Sequence, residues 1–137
     1  MPSSTPRLSY ENAAGQVLAH PARYVLLVYK PGPRSLADLQ ALITHIGQLL
    51  LRNNWYYILG DQRLMTPFLP EQSAWLVTYW QAYTQQRPGR LYVAVVLAQD
   101  VFARLAVSQL RQEISVANMT YRQFVDASAA AAWLAQC

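Results

Sequence analysis

Cysteine occurs once, as the last residue, Cys137, and lysine once, as Lys30. A lone cysteine forms no internal disulfide and completes no thiolate metal site, which excludes disulfide scaffolds and zinc ribbons. Histidine occurs only as His20 and His45. Neither belongs to an HExxH or other paired-ligand pattern, so no metal site is expected. Charge is sparse: 13% of residues are charged against 53% hydrophobic. Disorder needs the opposite balance. Eight Pro and five Gly are too few for collagen or low-complexity chains. Long apolar runs are missing as well. The longest clean one, Leu91 to Ala98, falls far short of the ~20 residues that span a bilayer. Met1 to Tyr10 lacks the apolar segment of a signal peptide. A soluble protein of the cytoplasm is the expectation. The glycine-rich phosphate loops GxGxxG and GxxxxGKS/T are absent, and so is the GxSxG nucleophile elbow. With no catalytic constellation in view, the chain reads as a non-enzyme without a cofactor.

What is present suits one domain: 137 residues match the size of a single core. The net charge of +4 comes from eleven basic and seven acidic side chains, and ten of the eleven are Arg. These arginines, Arg34 and Arg87 among them, form no run and no helical stripe. They read as a solvated surface, and nucleic acid is not an expected partner. Residues 1–7 read as a loose N-terminus and residues 8–137 as the domain.

Leu8 to Asn12 alternates at a period of two, as a half-exposed strand does. Asn12-Ala13-Ala14-Gly15 is turn material, and Gln16 to His20 returns as the partner strand. Tyr24 to Tyr29 is a continuous β-favouring apolar run, the mark of a strand buried on both faces. Ser35 is an N-cap for a helix carrying Leu36, Leu39, Ile43, Ile46 and Leu50 and ending near Asn53-Asn54. Trp55 to Leu59 reads as a second buried strand, and Gly60 to Pro70 as a loop. Glu71 to Gln86 is a helix with Pro70 at its start, placing Leu76, Tyr79 or Trp80, and Tyr83 inward. Leu91 to Leu97 is a third buried strand. Asp100 caps a third helix with an expected inward stripe of Val101, Phe102, Leu105 and Leu110. Thr120 to Val125 is more polar and suits a sheet edge. Asp126 or Ser128 caps a last helix with Trp133 and Leu134. The order predicts an α/β fold: a single mixed β-sheet with an N-terminal antiparallel hairpin, then βα units, packed with about four helices.

Sites in such sheets form at the carboxyl ends of strands. Two loops qualify, Gly60–Phe68 and Ala98–Phe102. Asp61 and Arg63 bring opposite charges to one loop. They either hold and orient an anion or form a local ion pair with a backbone cap. Thr66, the only hydroxyl there, is a candidate phosphoryl acceptor or an ordinary loop residue. Asp100 is a candidate site residue that a helix cap also explains, and Phe102 follows it. Trp75, Tyr79 and Trp80 form an aromatic surplus. They line an apolar contact for a ligand or second chain, or simply span core and surface. His45 lies off its helix's apolar stripe, in an expected solvated position.

Three segments carry a family resemblance. Trp55-Tyr-Tyr-Ile-Leu-Gly-Asp61-Gln-Arg63-Leu-Met65-Thr-Pro67 resembles the central strand and loop of STAS-like proteins (sulphate transporter and anti-sigma-factor antagonist) of the SpoIIAA-like branch. Val93 to Ala103 resembles the next strand and helix start. Tyr121-Arg122-Gln123-Phe124 with Ala131-Ala132-Trp133-Leu134 resembles the closing strand and helix. The similarity covers roughly residues 8–135. It implies a small mixed sheet backed by helices and a regulatory role. Antagonist-type STAS domains bind a partner kinase and are switched by phosphorylation of a serine beside an Asp. Here Asp61 is followed by Gln62, and the nearest hydroxyl is Thr66. The family's lipid-carrier relatives imply instead an apolar ligand between helices and sheet. Two expectations follow. One is a regulatory or interaction domain that docks another protein through the Gly60–Phe68 loop and its neighbouring helix, with self-association through the Leu8–Asn12 edge strand or the Trp75/Tyr79 face. The other is a carrier for a small apolar or anionic ligand.

Overall fold

In the computed structural model, residues 5–114 and 118–137 are described. Most of the expected loose N-terminus, Met1 to Ser4, lies outside them. The first three strands form an antiparallel meander: β1 (Arg7–Asn12), β2 (Gly15–His20) and β3 (Tyr24–Tyr29). Arg7 already pairs with Ala19. The first turn is fixed by the Asn12 side chain, whose Oδ1 accepts from Ala14 N–H at 2.8 Å. This is the local competition with the ladder that makes Asn a turn residue.

From β3 onward, strands alternate with helices: α1 (Leu36–Asn53), β4 (Tyr57–Asp61), α2 (Pro70–Gln86), β5 (Leu91–Val96), α3 (Val101–Ile114), β6 (Met119–Phe124) and α4 (Ala127–Ala135). The caps are those the sequence supplies. Ser35 Oγ accepts from Asp38 N–H at 3.0 Å, Pro70 opens α2, and Asp126 Oδ1 accepts from Ala129 N–H at 2.8 Å. Asn54 ends α1 at φ 55°, a left-handed position that Asn tolerates better than most residues.

The six strands lie in the order β1-β2-β3-β4-β5-β6, with β3 to β6 parallel. Each crossover therefore steps one place in the same direction. Right-handed crossovers of that kind put all their helices on one face. The two cores agree: side chains of α1, α2 and α3 share the larger cluster, whereas α4 contributes Ala130 and Leu134 to the smaller. β6 is an edge strand, as its polarity predicted.

Three expectations need correction. β4 starts and ends two residues later than the reading from Trp55, because Gly60 and Asp61 pair with Val95 and Val96. Gly60 is strand, not turn. The inward stripe of α3 is Ala103, Val107 and Ile114, together with Leu110 at the cavity described below, whereas Val101, Phe102 and Leu105 are 70%, 74% and 56% exposed. Both phases have helical spacing. Asp100 Oδ1 accepts from Phe102 and Ala103 N–H, and the capped start turns the smaller residues to the core. His45 is half-buried rather than solvated: its Nε2 lies 2.7 Å from Ser9 Oγ and its ring stacks on Tyr10.

Candidate functional site

The helices do not cover the sheet evenly. α1 lies against β1, β2 and β3, and α4 against β4, β5 and β6 on the other face. α2 and α3 pack on each other, and α2 on α1, without a comparably close backbone approach to the strands. The space beneath them is a cavity of about 220 Å³. Its floor is the middle of the sheet. Ile58, Val93 and Tyr121 form one row across it, and Leu27, Gly60 and Val95 the next. Ile43 and Ile46 of α1, Leu76 and Trp80 of α2, and Val107 and Leu110 of α3 make the walls.

Gly60 sits where the floor needs a side chain to close. A Cβ there would meet only Val95 Cγ2 at 3.8 Å and Ala94 O at 4.0 Å. Its φ is not positive, unlike those of Gly32 and Gly89. The backbone therefore does not demand glycine at this position; the missing side chain is what leaves the space.

Four polar side chains interrupt the apolar lining: Tyr29, Gln62, Arg111 and Tyr121. Burial pushes the Tyr29 phenol up to about 12, with Arg34 pulling it back in part. Burial raises Tyr121 further, and the neighbouring Tyr29 adds to this; Arg111 and Gln123 oppose it. Both phenols keep their protons at neutral pH and are donors. The Gln123 side chain lies beside the buried Tyr121 hydroxyl, yet no described residue makes a hydrogen bond of ordinary geometry to that hydroxyl. Arg111 lines the cavity yet is exposed, so the cavity reaches solvent beside it.

The residues expected at the strand ends fall into separate roles. Asp61 and Arg63 form a two-point ion pair, with Arg63 Nη2 2.7 Å from Asp61 Oδ2 and Nε 3.0 Å from Oδ1. Asp61 also caps Arg63 N–H. Partial burial would raise the Asp61 pKa, but the Arg63 contacts outweigh it and hold the carboxyl below its ordinary value. Arg63 O accepts from Gln99 N–H at 3.1 Å. Together with Val28, Tyr29 and Leu64 these three residues line a second depression of about 240 Å³. Thr66 does not join it: its hydroxyl donates to Gly32 O at 2.9 Å. Asp100 is the α3 cap, and Phe102 points to solvent. Trp75 and Tyr79 stack on each other, half-buried, while Trp80 reaches the cavity. Within the Gly60–Phe68 segment Gly60, Gln62, Met65 and Phe68 are buried, and only Arg63 and Leu64 are exposed.

Because Arg63 is half exposed, the Asp61 pair contributes little. Arg63→Ala should cost no more than ~1 kcal/mol at pH 7. A depressed folded-state carboxyl stabilises above its unfolded pKa and loses that contribution as pH falls through the folded value. The difference between wild type and Arg63→Ala in urea unfolding should therefore vanish in acid. A cost above ~2 kcal/mol at neutral pH would make the pair structural.

Two arginines read as surface residues are buried. Arg34 is 9% exposed. Its guanidinium donates to Thr66 O and lies over the rings of Phe68 and Tyr29, 4.9 and 5.7 Å from their centroids. Gln72 Nε2 donates to Arg34 O at 3.0 Å. This arrangement ties the segment before α1 to the loop before α2, above Tyr29 and Phe68 at the cavity's edge. Arg87 donates to Trp55 O at 2.7 Å and lies 3.8 Å from the Tyr56 ring centroid. No sequence signal separates these from surface arginines, because their partners are carbonyls and rings brought in by the fold. Arg34→Ala should cost ~2–3 kcal/mol in urea unfolding, the range for charge-assisted bonds. Arg34→Lys should recover less than half of it, since an ammonium lacks the planar fork. Full recovery with Lys would contradict the stacked role.

Among the described residues no three of His, Cys, Asp and Glu come together as metal ligands, and no helix is long and apolar enough to cross a membrane. Comparison with protein-family models, curated proteins and solved structures gives no match for this chain.

Proposed function

We propose that the chain is a binding protein for a small, mainly apolar molecule held between the sheet and the helices α1, α2 and α3. The observation that carries this reading is the cavity of about 220 Å³ whose floor is left open by Gly60. Close-packed interiors leave few voids larger than a water molecule. Apolar cavities with a few convergent polar groups are the usual form of ligand sites. The volume lies just under the ~300–1,000 Å³ common for drug-sized ligands, which favours a compact molecule over a full lipid. The STAS-like resemblance is compatible with this reading through the family's carrier relatives.

The second reading is a regulatory STAS-like domain that docks a protein. Two observations favour it: Arg34 Nη2 lies 3.4 Å from Thr66 Oγ1, where it would meet a phosphoryl group, and Leu64, Val101, Phe102 and Leu105 are exposed. The loop's charged and hydroxyl groups nevertheless bond within the chain, which weighs toward the cavity.

Intact-mass measurement of the protein from its own cells, native and then denatured, separates the two. A carrier retains extra mass in the native spectrum alone. Extra mass that survives denaturation and matches a phosphoryl group on Thr66 would favour the switch. A bare chain in both spectra, together with no response of the protein's tryptophan fluorescence to 1-octanol, would overturn the carrier.

A further inference from the structure

The cavity's mouth carries an anomaly. Arg111 lies one helical turn after Val107 and three residues before Ile114, both buried. Residues at those spacings share a face, so Arg111 occupies the apolar face of α3. Glu113, two residues on, turns away from that face. The ion pairs among the described residues are Lys30–Glu11 and Arg63–Asp61, which leaves Arg111 without a carboxylate. Its guanidinium lies 5.3 Å from the ring centroid of Tyr121, whose buried hydroxyl also makes no hydrogen bond of ordinary geometry among the described residues. Two donors thus converge at one end of a mainly apolar space, one of them cationic and neither engaged by an acceptor among the described residues.

Resting on the carrier reading, we propose that the bound molecule is a short monocarboxylic acid. Its carboxylate sits at the mouth between Arg111 and the Tyr121 hydroxyl, and its apolar body lies over Gly60 toward Trp80. A carboxylate is acceptor-only and has lone pairs for both donors. Bonds between ionised partners are about twice as strong as neutral ones. An alcohol satisfies the phenol and leaves the guanidinium to water. Arg111 stays solvent-accessible, so the charged head need not be fully dehydrated, which suits capture and release.

Octanoate and 1-octanol are the probes, titrated by calorimetry into wild type, Arg111→Gln and Tyr121→Phe. Octanoate should bind wild type about tenfold more tightly than 1-octanol, the scale of one charge-assisted bond. Arg111→Gln should abolish that preference by weakening octanoate alone. Tyr121→Phe should fold at least as stably as wild type, because it removes an unsatisfied buried hydroxyl, and should weaken both probes. If Arg111→Gln binds octanoate as wild type does, the carboxylate assignment is overturned while the cavity remains. If wild type binds neither probe at millimolar concentration, the carrier reading itself fails.

Discussion

Replacing Trp80 by Ala should destabilise the protein by ~3–5 kcal/mol, the range for removing a buried Trp or Phe. Trp80 is 7% exposed and stands edge-on to both Tyr79 and Tyr83, with centroids 5.1 and 5.4 Å away. It is the largest side chain in the cavity wall, and its loss enlarges a space that is already there. Domains commonly have ~5–15 kcal/mol of total stability, so the variant should unfold at markedly lower urea. Trp80 is therefore a poor probe of ligand binding, because stability and binding fail together. Trp75, stacked on Tyr79 from the outside and half-buried, should cost well under half as much. A Trp80→Ala cost below ~1 kcal/mol, less than a buried Ile→Val change often brings, would mean that α2 does not pack as described.

Gly60→Val should do the opposite and raise stability. Glycine inside a strand costs ~0.5–1 kcal/mol relative to Ala through lost chain entropy. The introduced isopropyl group would add β-branched bulk in open space at ~0.8 kcal/mol per buried methylene. The expected gain is ~1 kcal/mol, together with loss of any occupant. Stability gained by filling a binding site commonly comes at the expense of function. Gly60→Ala should gain a smaller amount and leave part of the space. Loss of stability in both variants on urea unfolding would show that the floor is already packed.

The sequence made most of the framework legible. Continuous apolar runs marked β3 and β5, Ser35 and Asp126 marked helix starts, and the polarity of Thr120 to Val125 marked an edge. Gly60 escaped because glycine is a turn signal, and a glycine that leaves room for something else looks the same in sequence. The α3 stripe escaped because two overlapping helical phases were available and residue size favoured the wrong one. Tyr121 and Arg111 lie on different elements, and only the stand-off of α2 and α3 from the sheet brings them to one mouth. Asp61 and Arg63 were recognised as a pair, yet the loop around them is more core than surface. That follows from Met65 and Phe68 turning inward, which loop composition does not reveal.

The most direct measurement is the thermal transition of wild type and Gly60→Val side by side, with and without 1-octanol. A ligand that binds only the folded state raises the transition temperature by mass action. The transition should rise in wild type and stay put in Gly60→Val, whose transition is already higher. An equal rise in both proteins would place the alcohol elsewhere and contradict the cavity as the binding site.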